Sequence, residues 1–93
     1  TDKFMLQNNH PNPFNPLTSI TYSIPNKSTV LLKIYSLLGT EIITLVDEVK
    51  TRGGYSVQWD AKNSLGNKVP SGIYFYRLTS RDFSQTKKMI LLK

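Results

Sequence analysis

The sequence predicts a small all-β domain, an antiparallel immunoglobulin-like β-sandwich of about seven strands. Short stretches in which apolar and polar residues alternate with period two recur at intervals of roughly 8 to 12 residues. Clusters of turn-forming residues separate these stretches, and no stretch shows helical periodicity long enough to form a helix. With 93 residues, the chain can bury one core but is too short for a second domain.

Composition narrows the classes of function. The chain contains no cysteine, which excludes disulfides, thiol catalysis and thiolate metal sites. No apolar run approaches the roughly 20 residues of a membrane helix, and the start lacks a signal peptide, so we expect no membrane insertion. Because the sequence begins at Thr1 without Met, we expect residues 1–3 to be a linker from an upstream passenger and residues 1–93 to contain a single domain.

The positive charge is spread over the chain. The net charge of +6 arises from 12 Lys and Arg against 6 Asp and Glu. These basic residues fall one or two to a presumed turn or strand, and near the end Lys87 and Lys88 form a local pair. That distribution is typical of a solvated surface rather than a phosphate-binding stripe, so we expect no nucleic-acid partner.

Residues 69–78 contain the strongest predicted strand, and the rest of the chain is arranged around it. Alternation places Ile73 and Phe75 on one face, with Tyr74 and its partners at 76 and 78 on the other. Because both faces are apolar, we expect the strand to lie inside a sheet and to be covered on both sides. Gly72 precedes the strand after Pro70, and we expect it to adopt a positive φ.

The proline-rich segment at residues 11–16, PNPFNP, is expected to run extended along a sheet edge. Its three prolines lack backbone donors and therefore cannot occupy a central strand. We expect Phe14 to anchor the segment and the side chains of Asn12 and Asn15 to cap their own turns. The alternative is that Pro13 and Pro16 form a polyproline ligand for an aromatic groove on another protein.

Other strands follow from the same pattern. An edge pairing is expected at residues 4–7, alternating strands at 17–24 and 29–35, and a hairpin that returns over 41–46. Residues 47–54 are polar and end in two glycines, so they predict a turn before a half-exposed strand at 55–59. Residues 60–68 predict a loop, and 84–92 a closing strand in which Ile90 and Leu92 are buried.

An enzyme is disfavoured by the inventory of side chains. His10 is the sole imidazole, and the six acidic residues lie mostly in turns, so a general base with an oriented partner is hard to assemble. Oxygens in the loop at 60–67 (Asp60, Asn63, Ser64, Asn67) could surround a weakly held Ca²⁺, but the spacing lacks the order of an EF-hand. We favour a self-capped turn there, and expect no cofactor, no metal and no catalytic residue.

The aromatic residues suggest two classes of binding protein, one for nucleic acid and one for carbohydrate. Tyr74, Phe75 and Tyr76 beside Arg77 could form a stacking platform for nucleic acid, although alternating aromatic residues are more typical of a sandwich core. A carbohydrate platform would need exposed aromatic rings, and Trp59 with Tyr55 is the candidate pair.

Four ordered motifs give the sequence a specific resemblance to a known family. They are Gln7-Asn8 followed by PNPFNP, IYSLLGTEI at 34–42, VQWDAKNSLGNKVPSGIYFYRL at 57–78 and TKKMILLK at 86–93. With them, the chain from residue 4 to 93 resembles the type A C-terminal sorting domain of the type IX secretion system, found in Bacteroidetes. His10 stands where an aromatic residue is common, and Ala61 where glycine is common. Residues 60–72 also resemble the immunoglobulin-like domain of flagellar hook-capping proteins.

The resemblance implies a role in protein transport rather than in chemistry. Domains of this kind follow a covalently linked cargo, are recognised by the outer-membrane translocon from the periplasm, and are commonly removed at the cell surface by a sortase. The cargo is then released outside the cell or attached to the surface. The resemblance implies that the sorting motif comprises Pro11, Asn12, Pro13, Phe14, Gly72, Tyr74, Arg77, Lys87, Lys88, Met89, Ile90, Leu91, Leu92 and Lys93.

Within that motif, we expect the translocon to read mainly residues 86–93, through an accessible strand edge and basic side chains. We also expect the domain to be a monomer. The alternative function is an immunoglobulin-like or carbohydrate-binding module that stays on a cell-surface or extracellular protein.

Overall fold

Seven strands form two antiparallel sheets in the computed structural model, which describes residues 2–92. The strands are β1 (Met5–Leu6), β2 (Thr18–Ile24), β3 (Ser28–Ser36), β4 (Glu41–Lys50), β5 (Gly53–Trp59), β6 (Gly72–Ser80) and β7 (Phe83–Leu91). One sheet has the order β1-β2-β5 and the other β4-β3-β6-β7. The predicted all-β sandwich is confirmed. Within residues 2–92, none of the chain forms a helix that could cross a membrane.

The core lies between the two sheets and is built by alternation. Every second residue of β2 is buried, and β3 and β6 repeat the pattern, because successive side chains of a strand point to opposite faces. The inward-facing apolar residues of these strands are Ile20, Tyr22, Ile24, Val30, Leu32, Ile34, Tyr74, Tyr76 and Leu78. The alternating strands predicted at residues 17–24 and 29–35 are therefore confirmed.

The strand β6 is covered on only one side, contrary to the sequence-based expectation. It lies inside its sheet between β3 and β7, as predicted. Its outer side chains Ile73 and Phe75 are nevertheless half-buried, and Arg77 is exposed. A sandwich has a single interior between its sheets, so the outer face is shielded only by neighbouring side chains, such as the Arg77 guanidinium lying 4.8 Å from the centre of the Tyr35 ring.

The boundary between β4 and β5 also differs from the prediction. The strand β4 continues through the polar residues Asp47 and Glu48 to Lys50, because these residues pair with β3 at the outside of the sheet. Gly53 and Gly54 belong to β5 and pair with β2, which leaves residues 51–52 as the turn. Two register shifts between β3 and β4 interrupt strict alternation in β4, where apolar residues stand side by side.

The closing strand β7 has the opposite orientation to the predicted one. Met89 and Leu91 are buried, Ile90 is half-buried and Leu92 is exposed, so the prediction that Ile90 and Leu92 are buried is wrong. Four consecutive apolar residues contain no period-two signal. Their facing is set instead by the register of β7 against β6, which places Met89 opposite Tyr74.

Candidate functional site

The proline-rich segment meets residues 90–92 at one edge of the four-stranded sheet. The Phe14 amide donates to the Ile90 carbonyl at 3.0 Å, and the Leu92 amide donates to the Phe14 carbonyl at 2.9 Å. The Ile90 amide donates to Asn12 Oδ1 at 3.0 Å. We call this contact of Asn12 and Phe14 with residues 90–92 the terminal seam. It places the proline-rich segment along a sheet edge, as predicted, and assigns the Asn12 side chain to β7 rather than to its own turn.

Phe14 anchors the seam in the core, as predicted. Its side chain is only 2% exposed, and its ring centre lies 5.8 Å from that of Trp59. Trp59 in turn makes an edge contact with Tyr74 at 5.4 Å. These three rings form an aromatic cluster at the seam, in the tilted geometries that aromatic pairs prefer.

The polar atoms of the aromatic cluster are bound to backbone carbonyls. Trp59 Nε1 donates to the Lys62 carbonyl at 2.9 Å, and the Tyr74 hydroxyl donates to the Pro70 carbonyl at 2.6 Å. Burial raises the pKa of Tyr74 above its ordinary value. The cluster therefore fixes the loop between β5 and β6 to the same end of the sandwich as the seam.

Tyr76 makes a second connection between distant parts of the chain, and sequence analysis missed it. Its hydroxyl donates to the Gln7 carbonyl at 2.7 Å and accepts from the Asn9 amide at 2.8 Å. Burial raises the pKa of Tyr76, an effect partly offset by the bond from Asn9. A tyrosine among inward-facing aliphatic residues was the available signal, because a buried hydroxyl needs a partner.

Asn9 continues this connection to β2. Its side-chain amide donates to Thr18 Oγ1 at 3.0 Å and to the Pro11 carbonyl at 3.2 Å. The Thr18 hydroxyl donates to the same carbonyl at 2.9 Å. Both side chains are buried, so residues 7–11 are held to β2 and β6 by specific hydrogen bonds.

Gly72 is the first residue of β6 and lies next to the seam, opposite Leu91. Its φ is +155°, which confirms the predicted positive φ, and a Cβ added there would meet no atom within 4 Å. The constraint on this position is therefore the backbone conformation rather than space.

We expect Gly72→Val to lower the free energy of unfolding by about 1 to 3 kcal/mol, because a β-branched residue is strained at this φ. Gly54→Val is the matched control, since Gly54 also lies in a strand with open space around its Cα but has no such positive φ. Urea unfolding of both variants measures the effect. Equal urea midpoints of unfolding for the two variants would show that the backbone at Gly72 imposes no strain on valine.

The remaining predicted motif residues lie apart from the seam. Arg77 is on the outer face of the sheet, where its Nε donates to Thr86 Oγ1 at 3.1 Å. Lys88 is exposed on the same face and Lys87 is half-buried. The structure thus brings together the residues from 11 to 14, Gly72, Tyr74 and 89–92, and separates Arg77 and Lys88 from them. Lys93 lies outside the described residues.

The loop at 60–67 is a self-capped turn, as the sequence analysis favoured. Asn63 Oδ1 accepts from the amides of Leu65 and Asn67, both at 3.0 Å. Asp60 pairs with Lys62 at 3.8 Å. Among residues 2–92, no group of three or more His, Cys, Asp or Glu side chains comes together as a metal site.

The aromatic platforms considered for other ligands are not available. Tyr74 and Tyr76 are buried, which excludes their use as a stacking surface for nucleic acid. Trp59 is 1% exposed and packs inside the aromatic cluster, so it cannot present its face to a carbohydrate.

Comparison with known proteins gives one family. The model of secretion system C-terminal sorting domains matches residues 8–92. No curated protein matches the chain.

Solved structures show the same fold. Dimeric latent PorU from Porphyromonas gingivalis is similar with a TM-score of 0.74 and 20% identity, over 96% of this chain and 9% of that one. PorZ, an essential surface component of the type-IX secretion system of the same organism, has a TM-score of 0.66 and 21% identity, over 99% and 12%. FlgD from P. aeruginosa has a TM-score of 0.63 and 24% identity, over 80% and 57%. The chain therefore spans about a tenth of the length of PorU and PorZ.

Proposed function

Because the chain belongs to the family of secretion system C-terminal sorting domains, we propose that the outer-membrane translocon of the type IX system recognises it as a folded unit. Domains of this family are sorting signals that mark the proteins carrying them for export to the cell surface or the extracellular space. The chain therefore acts with a secretion system and a linked cargo.

The finer parts of the proposal concern how the domain is used. Residues 1–3 connect a single domain to its cargo, and a surface sortase cuts the chain there after export. Exposure of Asp2 and Lys3 before β1 supports this, because a cut at that point removes no core side chain. The domain is a monomer with no catalytic step of its own, in keeping with a non-catalytic family.

The observation that carries the proposal is the terminal seam. It fixes residues 90–92, which lie within the terminal motif of the resemblance, to the proline-rich segment more than seventy positions earlier. The signal is then a surface of a folded domain rather than a free tail. Recognition of such a surface depends on the fold being complete.

The edge of β7 beside the seam offers backbone groups to the translocon. In an antiparallel ladder, alternate residues turn both their N–H and C=O away from the neighbouring strand. Ile90 turns both its N–H and its C=O to the proline-rich segment, and Leu92 turns its N–H there. Thr86 and Lys88 have the same parity and therefore direct their backbone N–H and C=O groups outward. The predicted accessible edge is thus limited to the part of β7 before residue 90.

The proposal is tested by fusing the whole chain to a secreted reporter in a bacterium with a type IX system. We expect the double variant Lys87→Ala, Lys88→Ala to lower export about fivefold. Two ion pairs with the translocon together contribute ~1 kcal/mol to the free energy of binding. We expect Lys88→Pro to lower export as well, because it removes an outward N–H without touching the bonds to β6.

The matched control is Lys27→Ala with Lys68→Ala, which removes the same charge from exposed positions outside β7. Urea unfolding of each variant verifies that the fold is kept. Export that falls equally in the control and the test pair would show an effect of net charge alone. Absence of export by the unaltered chain would overturn the proposed function itself.

A further inference from the structure

An apolar patch lies on the outer face of the four-stranded sheet, at the end next to the terminal seam. Tyr35 stands beside Phe75 across β3 and β6, and Ile73 stands beside Ile90 across β6 and β7. All four side chains are half-buried and face away from the core. The other sheet does not cover them.

Two leucines project from the β3–β4 turn beside this patch. Leu37 is 60% exposed and Leu38 is 92% exposed. They form a shared wall between two open clefts, of about 330 Å³ on the side of Phe75 and about 270 Å³ on the side of Ile73. We call Leu37 and Leu38, together with the two clefts that flank them, the leucine ridge. Large apolar side chains that are exposed together mark interaction sites more often than isolated ones do.

From this arrangement we infer that the leucine ridge inserts into an apolar pocket of a partner protein whose rim carries carboxylates. The inference rests on the proposed function, since the partner would belong to the secretion apparatus. The border of the patch is basic, with Arg77 over Tyr35 and the exposed Lys88 opposite Phe75. The nearby carboxylate of Glu41 is already paired with Lys33 at 2.9 Å.

The linked cargo is a poor candidate for this position. The chain enters the domain at the opposite end of the sandwich, where Phe4 stacks on Phe83 at 5.1 Å. Phe83 begins β7 and Leu91 ends it, a separation of roughly 26 Å at the rise of a strand. The leucine ridge therefore points away from the attachment point of the cargo.

A second copy of the chain is disfavoured by charge. Two copies that met through this face would bring Arg77 and Lys88 of one against the same residues of the other. Like charges that face each other in an interface weaken association, whereas an acidic rim would be complementary. A lipid surface would also accept leucines and basic residues, but it presents no fixed projections that would fill the two clefts.

The test uses the reporter fusion of the full chain with Leu37→Ser and Leu38→Ser together. We expect secreted reporter to fall at least about tenfold, because truncating a central apolar anchor of an interface has effects of this size. Leu17→Ser with Leu65→Ser is the matched control, since both leucines are exposed and lie off the ridge, and it should stay within about twofold of the unaltered chain. Arg77→Glu should lower export as well.

The outcomes separate this inference from the proposed function. Normal export of the Leu37/Leu38 variant while the unaltered chain is exported would overturn the inference alone. No export of the unaltered chain would overturn the proposed function first. A concentration-dependent dimer in light scattering that the substitutions abolish would assign the ridge to a second copy. Binding of anionic phospholipid vesicles that the substitutions abolish would assign it to a lipid surface, and both of these results would overturn the inference.

Discussion

Phe14→Ala is expected to lower the free energy of unfolding by about 3 to 5 kcal/mol, the range for removing a buried aromatic side chain. Phe14 is almost completely buried and contacts Trp59, so the substitution leaves a cavity inside the aromatic cluster. Small domains are stable by only about 5 to 15 kcal/mol. The variant should therefore keep only a small part of its stability.

Trp59 provides the measurement, because it is the single tryptophan of the chain and its environment changes with the seam. Denaturant unfolding followed by tryptophan fluorescence should show a clearly lower midpoint for Phe14→Ala. Leu17→Ala is the control, since Leu17 lies just beyond the same segment and is 44% exposed. If the two variants unfold at the same denaturant concentration, Phe14 does not anchor the seam.

Deletion of residues 89–93 is expected to abolish the fold. It removes Met89 and Leu91, both fully buried, each of which contributes about 2 to 5 kcal/mol to stability as a core side chain. It also removes every hydrogen bond of the terminal seam. The sum is comparable with the whole stability of a domain of this size. Far-UV circular dichroism should show an unfolded chain at 25 °C.

The informative shorter truncation removes only Leu92 and Lys93. Leu92 is about half exposed, and its loss costs the seam one hydrogen bond, to the Phe14 carbonyl, or about 1 kcal/mol. We expect this chain to stay folded. Export lost from the shorter truncation would support direct recognition of the last residues, whereas export lost only with the fold would assign them a packing role. A folded chain after deletion of 89–93 would contradict the packing described here.

Local patterns were sufficient to predict the sheets because the strands that matter most alternate strictly. From Ile20 to Ile24 in β2 and from Val30 to Ile34 in β3, each inward residue is apolar and most of the residues between them are polar, so period two fixes both the strand and its facing. In β7 the run from Met89 to Leu92 is uniformly apolar. Its facing depends on pairing with β6, which is a long-range property that a local pattern does not contain.

The candidate site could be predicted in part, for a related reason. Phe14 and residues 89–92 were identified from motifs, but nothing in either motif indicates that they touch. The connection of Tyr76 to Asn9 was missed because it spans 67 positions and becomes visible only when β6 is placed beside residues 7–9. Long-range hydrogen bonds of this kind depend on topology rather than on local sequence.

The terminal seam closes the chain into a loop from residue 12 to residue 92 without a covalent bond. In small exported domains a disulfide often supplies such a cross-link, and it then forms only where thiols are oxidised. This chain has no cysteine, and its cross-link consists of two backbone hydrogen bonds of Phe14, one hydrogen bond to the Asn12 side chain and one buried ring. Its closure is therefore independent of redox potential, so the folded surface is the same in a reducing and in an oxidising compartment.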